Sequence, residues 1–428
     1  MSTAEQPPTI APPEFLAIRA PRFSRLGRRL FFLVVAARRR HGVGTLRVVE
    51  QWDDHSAEKM VGRGDLRADI TVHDPGAYAA LVFGGSKGMG RSYVNGQWST
   101  SDVASLVRLL FRVTQPWRRR FDVVARRGGF FWSRWRRSTS RDEDRDNIHA
   151  HYDLSNEFFE IMLDSSMAYS CAIYRDASTP LHEAQIEKFD RICRKLQLGP
   201  SDHVLEIGTG WGGFAVHAAA HYGSRVTTTT ISANQRVAAQ ARVAAAGLTH
   251  LITVLGDHYA DLTGSYDALV SIEMIEAVNW RSYDEFFATC SALLGANGRM
   301  ALQAITMNDQ SFDRAKLQND FIRDLIFPGG CLPSVAAILR STTRATDLRL
   351  IDVDDIGLHY ARTLTQWRNA VHEHVDEVTA LGFDERFMRL WDLYLGYCEG
   401  AFLERHISDV QMIFHKPATA AVLGYRPT

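Results

Sequence analysis

From about residue 145 to 418, short apolar runs alternate with longer stretches of helical period. HVLEIGTG (203–210), RVTTTTIS (225–232), LITVLGD (251–257), YDALVSIEM (266–274), RMALQAIT (299–306), LRLIDVDDI (348–356) and DVQMIFHK (409–416) predict strands. Helical patterns fall between them. Such alternation predicts an α/β fold with a seven-stranded doubly wound, Rossmann-like sheet, whose ligands bind at the carboxyl ends of the strands. RMALQAIT follows a Gly-Ala-Asn-Gly turn and reads as a dry strand, yet it carries Gln303. A buried amide must find partners or cost about 1–3 kcal/mol. Residues 303 and 305 share one side of the strand, so a common ligand could meet both.

The front of the chain follows another pattern. Residues 1–42 begin Pro-rich and continue into RFSRLGRRLFFLVVAARRRH (22–41), with Arg at both ends of an apolar centre. This predicts an amphipathic helix, either ordinary or lying on an anionic bilayer. Its apolar run, 30–37, is too short to span a membrane, which needs about 20 residues. Residues 43–115 predict a small N-terminal α+β domain from TLRVVEQW, ADITVHD and the Gly-rich GGSKGMGRSYVNGQW. The last is expected as a turn-rich scaffold; no Lys-Ser/Thr closes it as a phosphate loop. Residues 116–145 form a basic, aromatic linker containing WRRRFDVVARRGGFFWSRWRR (117–137). Nucleic-acid binding, membrane-interface binding and a plain linker all fit it. The catalytic domain is expected over 146–418, with a tail at 419–428.

Charge sharpens this division. Residues 1–140 hold 24 Lys and Arg against 11 Asp and Glu, a balance of +13, and the rest of a chain with 49 of each holds −13. A basic front half suits an anionic surface. The 5 cysteines are odd in number and lack metal-ligand spacing, which predicts a reduced, cytoplasmic protein. His149 and His151 flank Ala150 without a partnering Cys or carboxylate motif, so no metal site is expected.

VLEIGTGWGG (204–213) carries the clearest chemistry. An apolar strand ends at Glu206 and Gly208-Thr209-Gly210, then a helix begins. Glycine allows a sharp turn and close approach of backbone to a ligand. A dinucleotide site needs an acid for the ribose about 20 residues on, whereas the second strand ends TTTTIS. The form instead resembles the first motif of S-adenosylmethionine (SAM)-dependent methyltransferases of class I. Asp257, after the third strand, either sits near the adenine or caps the next helix.

Four further stretches narrow the resemblance: NIHAHYDLSNEFFEIMLDSSMAYSCAIY (147–174), TTISANQ (229–235), SIEMIEAVNW (271–280) and IGLHYARTLTQW (356–367). They are similar to the cyclopropane-fatty-acyl-phospholipid synthases, which are related to mycolic acid cyclopropane synthases and tuberculostearic acid methyltransferases. GMGRSYVNGQW resembles the front domain of the phospholipid-acting members, and IFPGGCLPS (326–334) the segment covering the acyl site. The resemblance implies SAM binding by Tyr169, Ser170, Gly208, Gly210, Thr230 and Gln235, with Thr230 and Gln235 replacing the ribose acid. It also implies a bound bicarbonate, held by Cys171 through its backbone, Glu276, Gln303, Ile305 through its backbone, and Tyr360. Bicarbonate would deprotonate the carbocation left after methyl transfer to a cis double bond, closing a cyclopropane; the alternative product is a 10-methylene chain. Phe158, Phe159, Tyr174 and Tyr360 are aromatic candidates for steadying the cation. Many members carry His at the Gln303 position, and Gln cannot relay a proton. The implied setting is unsaturated phospholipid at the inner face of the cell membrane, an anionic surface, and a homodimer. A nucleic-acid methyltransferase is the competing class; the acidic back half and the lack of an NPPY-type motif argue against it.

Overall fold

A computed structural model describes residues 21–36, 42–114 and 154–418. They fall into two compact units, one built from 21–114 with Asn319–Ile326 and Trp367–Glu404, the other from 154–318, 327–366 and 405–418.

In the first unit, β1 (Gly44–Trp52) pairs antiparallel with β2 (His55–Arg63) and parallel with β3 (Arg67–Val72), and β3 pairs antiparallel with β4 (Trp98–Ser99). Alternate residues of β1 and β3, Leu46, Val48, Ile70 and Val72, enter the core with Tyr78 and Trp98. The expected amphipathic helix forms over Pro21–Ala36. Its Phe31 and Val35 are buried, while Leu26 and Leu33 face outward. Gly27 lets this helix approach helix Gly76–Phe83, because a Cβ there would lie 2.8 Å from the Ala79 nitrogen.

Beneath that crossing sits Glu50, 1% exposed. It accepts from Arg28 Nε at 2.5 Å and Nη2 at 2.6 Å, from the Tyr78 hydroxyl at 2.5 Å, and shares a 3.2 Å contact with His55. Burial alone would raise the Glu50 carboxyl; the bonds from Arg28, Tyr78 and His55 outweigh it and hold the group at about 2.

The Gly-rich segment departs from the expected turns. Residues Gly85–Val94 form a helix with Met89, Ser92 and Tyr93 buried. Its glycine at position 90 serves close packing, since a Cβ there would lie 3.1 Å from Phe321 Cβ. Long-range packing also brings residues 367–404 into this unit rather than leaving them with the expected 146–418 domain. On helix Glu385–Leu403, Arg389 donates to the carbonyls of Tyr93 and Trp98 at 2.7 and 2.8 Å, and Asp392 accepts from the Tyr93 hydroxyl at 2.7 Å.

The second unit holds the seven-stranded sheet. Its strands are β5 (His203–Ile207), β6 (Arg225–Thr229), β7 (Ile252–Leu255), β8 (Tyr266–Ile272), β9 (Leu294–Met307), β10 (Arg349–Asp355) and β11 (Ile407–His415), in the order β10-β11-β9-β8-β5-β6-β7. Pairing from β7 to β9 is parallel, and β11 runs antiparallel to both β9 and β10. Every run expected as a strand is one. The central strands are apolar on both faces, as parallel strands covered by helices must be. Met300, Leu302 and Ala304 of β9 pack with Phe286, Phe287 and Ile338. Ala301 points oppositely and packs with Phe189, Ile192 and Phe214. Because β5 pairs with β6 on one side and β8 on the other, the order reverses there, and a cleft opens at the carboxyl ends of these strands.

Candidate active site

The cleft holds about 1200 Å³ of empty space, its mouth included. Tyr169, Ser170, Gly208, Gly210, Thr230, Gln235 and Asp257 all line it. The loop after β5 carries Gly208 at φ +104° and Gly210 at φ +51°. A side chain at Gly208 would strain the backbone and crowd Met274 Cβ at 3.2 Å, whereas Gly210 faces open space. The Gly208 and Thr209 amides both donate to the Thr229 carbonyl at 3.1 Å, tying the loop to β6. Thr230 donates to Gln235 Oε1 at 3.0 Å, and Ser232 caps the helix that presents Gln235. Of the two readings of Asp257, the cap of the following short helix is instead His258, whose Nδ1 accepts from Ala260 at 3.2 Å. Glu206 is walled in beside Thr228, whose hydroxyl donates to it at 2.6 Å; burial pushes its carboxyl up to about 8 against that bond.

Three of the five residues expected around the reacting group, Cys171, Gln303 and Tyr360, converge on a further acid, and Ile305 bonds to Glu276. Glu273 follows β8, lines the cleft and is only half-buried. Its Oε1 accepts from the Cys171 amide and Gln303 Nε2, each at 2.8 Å, and its Oε2 accepts from the Tyr360 hydroxyl at 2.6 Å. Its φ is +49°, a left-handed conformation that costs a non-glycine residue about 1–3 kcal/mol. Its own amide donates to the Gln303 carbonyl at 2.8 Å.

Gln303, 1% exposed, has its amide fully used. Nε2 also reaches Asp409 Oδ2 at 3.1 Å and the Cys171 carbonyl at 3.4 Å, while Oε1 accepts from Gln411 at 3.0 Å. Asp409, on β11, is fully buried. Burial, followed by the charge and hydrogen bond of Glu273 and the charge of Glu276, pushes its carboxyl well above the usual range. The signal for Asp409 is the one that singled out Gln303, a polar residue in an apolar strand. The signal for Glu273 is an acid at the end of a parallel strand.

Glu276 does not line the cleft. Its Oε1 accepts from the Ile305 amide at 2.5 Å, and its buried Oε2 meets no hydrogen-bond partner among the described residues. The segment after residue 326 passes over it, the Cys331 amide donating to the Glu276 carbonyl at 2.7 Å. Burial, then the charge of Glu273, pushes Glu276 up to about 8 from 4.5. The folded protein thus keeps a proton that the unfolded chain releases, and the stability this contributes at low pH is lost as pH rises toward 8. Relative to Glu276→Gln, the wild-type melting temperature should fall steadily between about pH 5 and 8. Melting curves of both proteins across that range check this.

The groups implied to hold bicarbonate are engaged with the chain's own carboxylates: Cys171, Gln303 and Tyr360 with Glu273, and Ile305 with Glu276. Cys171 is fully buried, and burial pushes its thiol well above the usual range; Sγ donates to the Ala172 carbonyl at 3.3 Å, which suits structure rather than nucleophilic attack. Among the aromatic candidates, Phe159 lies behind the wall, 5.3 Å from Tyr169 and 4.8 Å from Trp211 between ring centroids. Tyr174 stacks on His359 under Arg362, and Phe158 is buried core. Residues 117–137, His149 and His151 lie outside the described residues.

A doubly wound seven-stranded sheet with this glycine-lined cleft at its switch point fits SAM and defines a class I SAM-dependent methyltransferase. Comparison with known proteins carries the assignment further. Residues 139–412 match the model of the family described as mycolic acid cyclopropane synthetase, and the chain belongs to that family. It is 39% identical to the tuberculostearic acid methyltransferase of Mycobacterium tuberculosis over 374 residues, 83% of this chain and 86% of the relative. It is 34% identical to the cyclopropane-fatty-acyl-phospholipid synthase of Escherichia coli over 355 residues, 82% of this chain and 89% of the relative. The crystal structure of a mycolic acid cyclopropane synthase, CmaA1, complexed with SAH and CTAB superposes with a TM-score of 0.59 at 33% identity, covering 64% of this chain and 98% of the other. The protein is thus a SAM-dependent C-methyltransferase.

Proposed function

We propose that this enzyme methylates the cis double bond of an unsaturated acyl chain in a membrane phospholipid, and that Glu273 then takes the proton the alkylated chain must lose. The observation supporting this is the Glu273 carboxylate itself, on the cleft wall and fixed by three donors. SAM, held by the Gly208–Gly210 loop, Tyr169, Ser170, Thr230, Gln235 and Asp257, supplies when bound an electrophilic methyl group. A double bond is a weak, uncharged nucleophile, so the cleft works mainly by orientation. Ile272, Met274, Val278 and Trp211 give it an apolar wall, which keeps water from a cationic chain.

A carboxylate oxygen held in this way can take up a proton. Tyr360, Gln303 and the Cys171 amide fix its direction. Burial disfavours charge on Glu276 and Asp409, which lessens the like charge beside it. Because Glu273 is half-exposed, the proton can return to water through the cleft, and the absence of His at position 303 is no obstacle. Loss of the proton from the transferred methyl closes a cyclopropane, the product proposed here. The stronger likeness to the tuberculostearic acid methyltransferase favours a second reading, a hydride shift and a 10-methylene chain. The basic first 140 residues, with Leu26 and Leu33 outward on the N-terminal helix, support docking to an anionic lipid surface. No helix among the described residues is long and apolar enough to cross a membrane.

Incubation with methyl-labelled SAM and vesicles of oleoyl phospholipid tests this. Label should enter the acyl chains, each heavier by one CH2, and fragmentation distinguishes ring from methylene. Label in RNA or DNA and none in lipid would overturn the reading.

A further inference from the structure

The mechanism leaves a buried cation without a task. Lys188, on helix Leu181–Lys195, is fully buried. Its Nζ donates to Ser170 Oγ at 2.6 Å and lies 4.3 Å from the centre of the Phe189 ring. Burial pulls this ammonium down to about 8 from 10.5, so the fold tolerates a costly group. One turn earlier, Gln185 donates to the carbonyls of Ala168 and Ser170 at 3.3 and 2.9 Å. Two neighbouring positions on one helix face thus grip the turn that forms the Tyr169–Ser170 wall.

An ammonium has donors only, so Ser170 Oγ must be the acceptor in this pair. The single hydroxyl proton of Ser170 is then directed elsewhere, and the face Ser170 presents is the cleft. Among the described residues, those lining that cleft include Glu206, Asp257 and Glu273 but no Lys or Arg. An anionic end of a ligand would be repelled by Asp257 and Glu273 and finds its nearest favourable charge behind Ser170. The cofactor has one such end, the carboxylate of its amino-acid moiety.

We propose that Lys188 is a positioning residue for this carboxylate: it fixes Ser170 as a donor toward the cleft and supplies the positive charge behind it. This rests on the reading of the cleft as the SAM site.

Isothermal titration with two ligands separates this role from a merely structural one. S-adenosylhomocysteine carries the amino-acid end; 5′-methylthioadenosine keeps the nucleoside and thioether but lacks it. Lys188→Met should weaken S-adenosylhomocysteine about 10–100-fold, as expected for a lost charge-assisted hydrogen bond, and leave 5′-methylthioadenosine within about twofold. Ser170→Ala should give the same selective loss, and adding Lys188→Met to Ser170→Ala should weaken S-adenosylhomocysteine less than Lys188→Met weakens it in the wild type. Should the Met variant fail to fold, Lys188→Gln is measured instead against the same outcomes. Equal loss of both ligands, or unchanged binding of S-adenosylhomocysteine, overturns the proposal. Wild-type protein that binds neither ligand overturns the cofactor reading itself, and this proposal with it.

Discussion

Glu273→Gln should lower turnover on oleoyl phospholipid about 10²–10⁴-fold, the usual contribution of a positioned general base, while affinity for S-adenosylhomocysteine stays within about twofold. The amide keeps the size of the side chain and can still accept from Tyr360 or Gln303, so the local structure should survive. It cannot take a proton. Glu276→Gln is the informative companion. Glu276 carries a proton at neutral pH and lies off the cleft wall, so its neutral isostere should cost far less turnover than Glu273→Gln. Initial rates and ligand titrations on both variants check this, and the reverse ranking would return the principal role to Glu276.

The second large effect is on stability. Arg28→Met should destabilise the N-terminal unit by about 3 kcal/mol, the lower end of the range for stranding a buried charge. Glu50 is 1% exposed and would keep only Tyr78 and His55 of its three side-chain partners. Arg28→Met combined with Glu50→Gln should recover much of the loss, because no charge is then stranded. Hydrogen exchange at the β1 amides reads both effects. In the wild type, the folded Glu50 carboxyl lies at about 2 against an ordinary 4.5. The stability it contributes is therefore present above about pH 4.5 and is lost as pH falls toward 2. The Glu50→Gln variant should lack that acid-side decline.

The strands of the catalytic sheet were legible because parallel strands covered on both faces are short, nearly unbroken apolar runs. The cofactor wall was legible for a related reason: Gly208 and Gly210 mark a backbone that must turn with positive φ. Harder to read was anything decided by long-range packing. GSKGMG looked like a turn because its glycines suggest freedom, but Gly90 is there to admit Phe321 to a helix surface. The boundary between the units falls inside the helix Gly357–Glu373, where neither composition nor turn residues announce it. Glu273 is a similar case. An acid at the end of β8 has many ordinary explanations, and only the folded chain shows Cys171, Gln303 and Tyr360 converging on it from three separate segments. Gln303 itself was recognisable as a buried amide needing partners, and the partners are now identified as Glu273, Asp409 and Gln411.

The central claim is that the chain supplies its own carboxylate where the resemblance implied bicarbonate. Glu273 sits at φ +49°, so glycine can replace it without backbone strain, exposing the donors of Cys171, Gln303 and Tyr360. The decisive measurement is the turnover of wild-type and Glu273→Gly protein in buffer freed of carbon dioxide, with and without added bicarbonate. The account predicts a wild-type rate indifferent to bicarbonate and a variant that is inactive without it and partly restored by it. A wild-type enzyme that stops when bicarbonate is removed and resumes when it is returned would contradict the account.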